Sequence, residues 1–147
     1  MTDVKKHYPK NPLRGALDAP GAVNAIQALR QAAKNMDQIA EYSMSAVDRK
    51  IGELETLVAA CGDPPSNEER ETIYRLANEI FTEAGAFGYD ACSQAAHSLC
   101  DLTALAGGRV EPIAIHIAAL RGLRRDGASK MSAAIIAGLR KLSGGRS

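Results

Sequence analysis

The sequence predicts an all-α protein: an up-and-down antiparallel four-helix bundle with additional N- and C-terminal helical segments. Three observations lead there. Apolar residues recur at steps of three and four along most of the chain and nowhere alternate with a period of two, which is helical spacing and not that of strands. Breaks in the spacing fall at Gly62 with Pro64 and Pro65, at Gly85 with Gly88, at Gly107-Gly108 and at Asp126-Gly127. Loops that short make successive helices antiparallel neighbours. Aromatic residues are only 4% of the 147, with no Trp, so Ala and Leu must fill the core, which suits close-packed helices.

A chain of this length fits one domain and can bury a core without disulfides or a metal. Residues 1–20 carry Pro9, Pro12, Gly15 and Pro20 among basic residues with no sustained period, and are expected to form a flexible arm. Residues 21–143 are expected to form the helical domain, and 144–147 a tail. From Ala22 to Ala60 the apolar positions Val23, Ile26, Leu29, Ala33, Met36, Ala40, Met44, Val47, Ile51, Leu54 and Val58 keep helical spacing, as one long helix or as two broken near Asn35. Gly62 and the two prolines end it.

Ser66-Asn67-Glu68-Glu69 has the S-x-x-E form of a capping box, so a helix starts at Ser66. Ile73, Leu76, Ala77, Ile80, Ala84 and Phe87 form its inner stripe, with Glu71, Arg75, Asn78 and Thr82 opposite. Tyr89-Asp90 opens the next helix, where Cys92, Ala95, Ala96, Leu99, Leu102 and Thr103 face inward and His97 outward. After Gly107-Gly108, Pro112 fits a first helical turn that tolerates its missing N–H, and Ile113, His116, Ile117, Leu120 and Leu123 build the following helix. Ala128 to Leu142 completes the series through Met131, Ile135, Ile136, Leu139 and Leu142.

Charge and cysteine content exclude several function classes. The 18 basic residues nearly balance 17 acidic ones, for a formal charge of +1, so no global field favours nucleic acid. No stretch is apolar over the length a membrane span needs, and the start of the chain lacks the apolar core of a signal peptide, so a cytoplasmic protein is expected. Cys61, Cys92 and Cys100 make neither a C-x-x-C pair nor a ligand set and read as reduced core thiols. No two histidines share a metal-ligand spacing, and no cofactor is expected.

One segment carries a resemblance. LANEIFTEAGAFGYDACSQAAHSLCDL, from Leu76, resembles the core of histidine-containing phosphotransfer (Hpt) domains, especially a bacterial subtype whose motif runs approximately AHDLKGQGGTFGY followed by SLCRL. Ala77, Gly85, Phe87, Gly88, Tyr89, Ser98, Leu99 and Cys100 match, and a weaker echo runs through His116, Ala119, Leu120 and Arg121. The resemblance covers roughly the last half of the chain and implies a four-helix bundle. Aligned on AGAFGY, the family's phosphoacceptor histidine falls at Asn78, its lysine three positions on at Phe81, and the glycine after that at Thr82. The amide nitrogen of Asn78 has its lone pair delocalised into the carbonyl and cannot accept a phosphoryl group as an imidazole does. Phe81 supplies no counter-charge, and Thr82 adds bulk where a partner's loop would approach.

The resemblance therefore implies a non-catalytic pseudo-Hpt protein. Its partner would be a response-regulator receiver domain or a histidine kinase, docked on Arg75, Asn78, Phe81, Thr82 and Gly85 with Phe81 as anchor. An active phosphotransfer protein using His97 is the enzymatic alternative, against which Cys100 and Asp101 stand where a cation is wanted. A third reading is a structural scaffold or homodimerisation module, because Val23, Ile26, Leu29 and Met36 exceed what a minimal four-helix core covers. They either pack across the bundle or pair with a second copy. His116, on an apolar side, reads as a hydrogen-bonded core histidine, and His7 as inert. Arg121, Arg124, Arg125, Lys130, Arg140, Lys141 and Arg146 make the C-terminal third locally basic, chiefly as a solvated face, with an acidic receiver surface or anionic ligand as the functional alternative.

Overall fold

The structure, a computed structural model, describes residues 15, 19, 21, 24–105, 108–127 and 129–144. Most of the expected arm, with His7 and Val23, and also Gly107, Ala128 and Arg146, lie outside these residues. Five helices and no strand occur among the described residues: α1 (Ala25–Ala60), α2 (Asn67–Ala86), α3 (Asp90–Ala104), α4 (Val110–Asp126) and α5 (Lys130–Leu142). The first helix is continuous past Asn35. No helix among the described residues is long and apolar enough to cross a membrane.

The chain divides into two units, Met1–Ile39 and Ala40–Ser147. In the first, Ile26, Leu29, Met36 and Ile39 on α1 are exposed. In the second, one core is shared by Met44, Val47, Ile51 and Leu54 of α1 and the inner stripes of the other four helices.

Local chemistry explains the boundaries. Ser66 caps α2 as its sequence requires: the Glu69 N–H donates to Ser66 Oγ over 3.2 Å, and the Ser66 N–H to Glu69 Oε2 over 2.7 Å. The end of α4 is set by Gly127, whose φ of 67° and ψ of −156° lie where only glycine sits without strain. The buried stripe of α5 is rotated from the expected one. Ser132, Ile136, Leu139 and Ser143 are buried, whereas Met131 is 70% and Leu142 45% exposed. The small hydroxyls bury readily because each finds partners. Ser132 Oγ donates to the Gly127 carbonyl and Ser143 Oγ to that of Arg140.

Oppositely charged side chains join α1 to two other helices. The Lys50 side chain is only 13% exposed, and its ammonium pairs with Glu83 and, at 3.3 Å, with Glu79, both on α2. Burial pulls its pKa down, but the two carboxylates outweigh burial and hold it above the ordinary lysine value. On the α4 side Arg121 grips Glu55 through Nε and a terminal nitrogen at 3.0 and 2.8 Å. That bond holds the Glu55 carboxyl below its ordinary value. Arg124 donates to Asp48 over 3.1 Å and lies 5.4 Å from the Tyr89 ring centre. Two residues of the basic C-terminal stretch thus hold helices together.

His116 is completely buried. Its Nδ1 lies 2.7 Å from the Pro112 carbonyl and its Nε2 3.0 Å from Ser98 Oγ, which is also 3.0 Å from Ser143 Oγ. A carbonyl only accepts, so Nδ1 carries the proton in the neutral ring, and Nε2 and Ser143 Oγ share the Ser98 hydroxyl as alternative acceptors of its one proton. Burial pushes the ring's pKa below the ordinary value of 6.5, against the Pro112 and Leu139 carbonyls, which favour the protonated ring. The folded state therefore binds fewer protons than the unfolded one as pH drops through 6.5.

Stability should accordingly be flat above about pH 7 and decline between about pH 6.5 and 5, before the salt-bridged carboxylates begin to protonate. Chemical denaturation at a series of pH values checks this. A His116→Gln variant, less stable overall by roughly 1–3 kcal/mol, should lose the decline in that window.

Candidate functional site

The residues that the sequence singles out lie on one side of the α2–α3 helix pair. Asn78, Phe81 and Thr82 come from α2, and all three are exposed because the inner stripe of that helix uses Ile73, Leu76, Ala77, Ile80 and Ala84. The two helices run antiparallel from the short connection at Phe87–Tyr89, so residues equally far from Tyr89 face each other. Gly85 thereby meets Ser93, one turn either side, and Phe81 meets His97, two turns either side.

The Gly85–Ser93 crossing is tight. A Cβ on Gly85 would come 3.1 Å from Ser93 Oγ. That hydroxyl is not free to swing aside, because it donates to the Phe81 carbonyl over 2.9 Å. Gly85, which the sequence places among the partner-contacting residues, serves the α2–α3 contact through its missing side chain.

One turn further along, the Phe81 ring rests against the His97 imidazole with centroids 5.3 Å apart and planes inclined at 56°. This is the tilted geometry that aromatic pairs favour. Phe81 nonetheless stays 38% exposed. His97 Nδ1 is 3.4 Å from Asp101 Oδ2 one turn on, with both side chains more than half exposed. Thr82 Oγ1 donates to the Asn78 carbonyl over 3.0 Å, so its hydroxyl is occupied within its own helix. Arg75 pairs with Glu79 at 3.0 Å, and Glu79 in turn with Lys50. Burial pushes the Glu79 carboxyl up, but Lys50 and Arg75 outweigh it, leaving the carboxyl below its ordinary value.

The face is a shallow, mixed surface with an apolar centre, a half-covered phenyl ring, and a polar margin of Asn78, Thr82, Arg75 and His97. Asn78 offers no nucleophile, and the one charged side chain a turn away on the same helix, Arg75, is paired with Glu79. His97 is the ionisable group beside Phe81. An Nδ1–H directed at Asp101 would leave Nε2 with a free lone pair, the atom a phosphoryl acceptor needs, but the adjacent charge is the Asp101 carboxylate. Cys92 and Cys100 are buried thiols, each pushed up to about 11 by burial, far from thiolate reactivity at neutral pH. Among the described residues no three His, Cys, Asp or Glu side chains gather into a metal-binding group.

The sequence reading treated Asn78 with Phe81 and His97 as separate, competing sites. The structure makes Phe81 and His97 neighbours in one patch. The signal was present in the positions of the two residues about Tyr89. No known protein family, curated protein or solved structure matches the chain.

A double-mutant cycle tests the crossing. Gly85→Ala should cost about 0.5–1 kcal/mol in the native background, because the clash outweighs the helical preference for Ala. In a Ser93→Ala background the same change should instead stabilise by a similar amount. Urea unfolding of the four proteins gives the coupling directly.

Proposed function

We propose that the chain is a non-catalytic, Hpt-like binding module that docks a response-regulator receiver domain or a histidine-kinase domain through the Asn78–Phe81–Thr82 face and so modulates a phosphorelay. The up-and-down arrangement of four helices, as in Hpt domains, is part of this proposal, and the all-helical fold with α2 and α3 antiparallel is compatible with it.

The observation that carries the reading is Phe81 itself. A phenyl ring sits at the middle of an exposed helix face, half covered by His97 and flanked by the small polar tips of Asn78 and Thr82. Aromatic side chains held on a rigid helix, with part of the ring already packed, are the usual anchors of protein interfaces. With the phosphate chemistry of Asn78 removed and no counter-cation at Phe81, such a face serves apolar docking. Arg75 at its margin supplies a point for a partner carboxylate, in competition with Glu79.

A second reading has a specific observation in its favour: His97 is exposed, lies against Phe81 and could present Nε2 outward. It makes the same face a phosphoacceptor site and differs only in whether phosphate is transferred.

Binding of the purified chain to receiver and kinase domains of its host, followed by calorimetry, is the test. At least one domain should bind, and Phe81→Ala should weaken that binding about tenfold or more. The variant's unfolding profile should change little. No binding to any such domain, or binding indifferent to Phe81→Ala, overturns the proposal. Acid-labile phosphate on the chain after incubation with a phosphorylated receiver, lost in His97→Ala, would move the assignment to the phosphotransfer reading.

A further inference from the structure

The first unit of the chain carries an apolar row of its own. On α1, Ile26, Leu29, Met36 and Ile39 are 58, 71, 57 and 51% exposed, and Ala33 between them is exposed as well. Ile26, Leu29, Ala33 and Met36 follow steps of three, four and three, the a and d positions of a heptad, and Ile39 lies one turn beyond Met36 beside the row. Single exposed apolar side chains are ordinary on protein surfaces. A continuous row of large ones over about four helical turns marks a surface meant to be covered.

Charge indicates what covers it. Along one flank of the row stand Arg30 and Lys34, one turn apart, and then Asp37 one turn later, all exposed. The flank is thus positive toward the N-terminus and negative toward the C-terminus. In an antiparallel pair of identical helices this flank faces itself, so Arg30 and Lys34 of one copy approach Asp37 of the other, and the two-fold axis makes the contact twice. The same arrangement sets Ala33 of one copy against Met36 of its mate at the centre, a small residue opposite a long flexible one. A parallel pair would instead place Arg30 and Asp37 against Ala25 and Ala32, leaving the charges unmatched.

We propose that this face is covered by a second copy of the chain, as an antiparallel pair of α1 helices with the two-fold axis passing between Ala33 and Met36, so that Leu29 faces Ala40 of the mate. The apolar area available is roughly 400 Å² per copy, or about 800 Å² for the pair, small for a permanent dimer. The association is therefore weak and reversible, with a dissociation constant on the order of 10 μM.

Sedimentation velocity on the full chain from about 1 μM to about 1 mM should show the 15.6 kDa species giving way to one of twice that mass. Leu29→Asp, at an exposed position where folding is not at stake, should raise the dissociation constant at least about tenfold. Arg30→Asp and Asp37→Arg should each weaken the dimer, and the two together should restore it to within about threefold of the native value, because the reversed charges match again. Circular dichroism of each variant separates loss of pairing from loss of helix.

A chain that stays monomeric over the whole range overturns the proposal, as does a dimer indifferent to Leu29→Asp. Failure of the charge reversal to rescue overturns the antiparallel assignment. Dimerisation that appears only after removal of residues 1–20 would assign the face to the chain's own N-terminal residues. Binding to anionic lipid vesicles without self-association would assign it to a membrane surface, and either result overturns the proposal. Receiver binding through Phe81 is read in a separate experiment, so either idea can fail without the other.

Discussion

The candidate face depends on how closely α2 and α3 approach each other at Gly85 and Ser93. Gly85 presents no Cβ to Ser93, and the Ser93 hydroxyl uses the space to bond the Phe81 carbonyl. That bond ties the neighbouring helix to α2 at the residue whose ring forms the centre of the face. Once the crossing is fixed, helical geometry dictates the rest. The next turn outward on each helix carries Phe81 and His97, and their rings meet. A larger residue at position 85 would push the helices apart where the register is set, and the aromatic contact would loosen with them.

Holding α1 against the same unit requires a different kind of interaction. Its buried row from Met44 to Leu54 consists of a few aliphatic side chains, and the flanks of that row are charged. The structure matches those flanks with opposite charges, Lys50 to the two glutamates of α2 and Asp48 and Glu55 to two arginines of α4. Exposed ion pairs contribute little, but Lys50 is mostly withdrawn from water and would be costly without its carboxylates. The functional consequence concerns the basic C-terminal stretch. Arg121 and Arg124 are already engaged with α1, and Arg125 with Asp126. An acidic ligand arriving there would compete with bonds the fold uses, which weakens the case for a separate anionic site and leaves the α2–α3 face as the better-supported surface.

The helices were readable because their signals are local. The Ser66 capping box, the prolines after Gly62 and the glycine at 127 each act within one turn, and the observed boundaries follow them closely. Rotation about a helix axis is less local, as α5 illustrates. Its expected row of Met131, Ile135, Ile136, Leu139 and Leu142 is right at Ile136 and Leu139, which are buried, and wrong at Met131 and Leu142, whose places in the interior are taken by Ser132 and Ser143. Ser143 goes inward to meet Ser98 beside His116, a partner about 45 residues away that no local window contains. The site was half legible for the same reason. Exposure of Asn78, Phe81, Thr82 and His97 follows from periodicity, whereas the meeting of Phe81 with His97 depends on where the turn at Tyr89 places the register.

Phe81 also constrains what the face can be. The chain has two phenylalanines, and its core is packed without a fully buried one: Phe87 is half-buried at the end of α2 and Phe81 is exposed. Full burial of a phenyl ring is worth about 2–3 kcal/mol, and at 38% exposure Phe81 leaves part of that unrealised in the monomer. A Glu, Lys or Gln at 81 would serve the helix as well and keep the surface polar. The contact with His97 recovers part of the lost burial, yet it leaves the remainder of the ring directed away from the core, on a helix whose backbone is pinned at that same residue. An apolar group that the fold leaves 38% exposed, held rigidly between short polar neighbours, still gains free energy when a second surface closes over the remainder. That energetic imbalance is what makes docking a better account of the face than core packing.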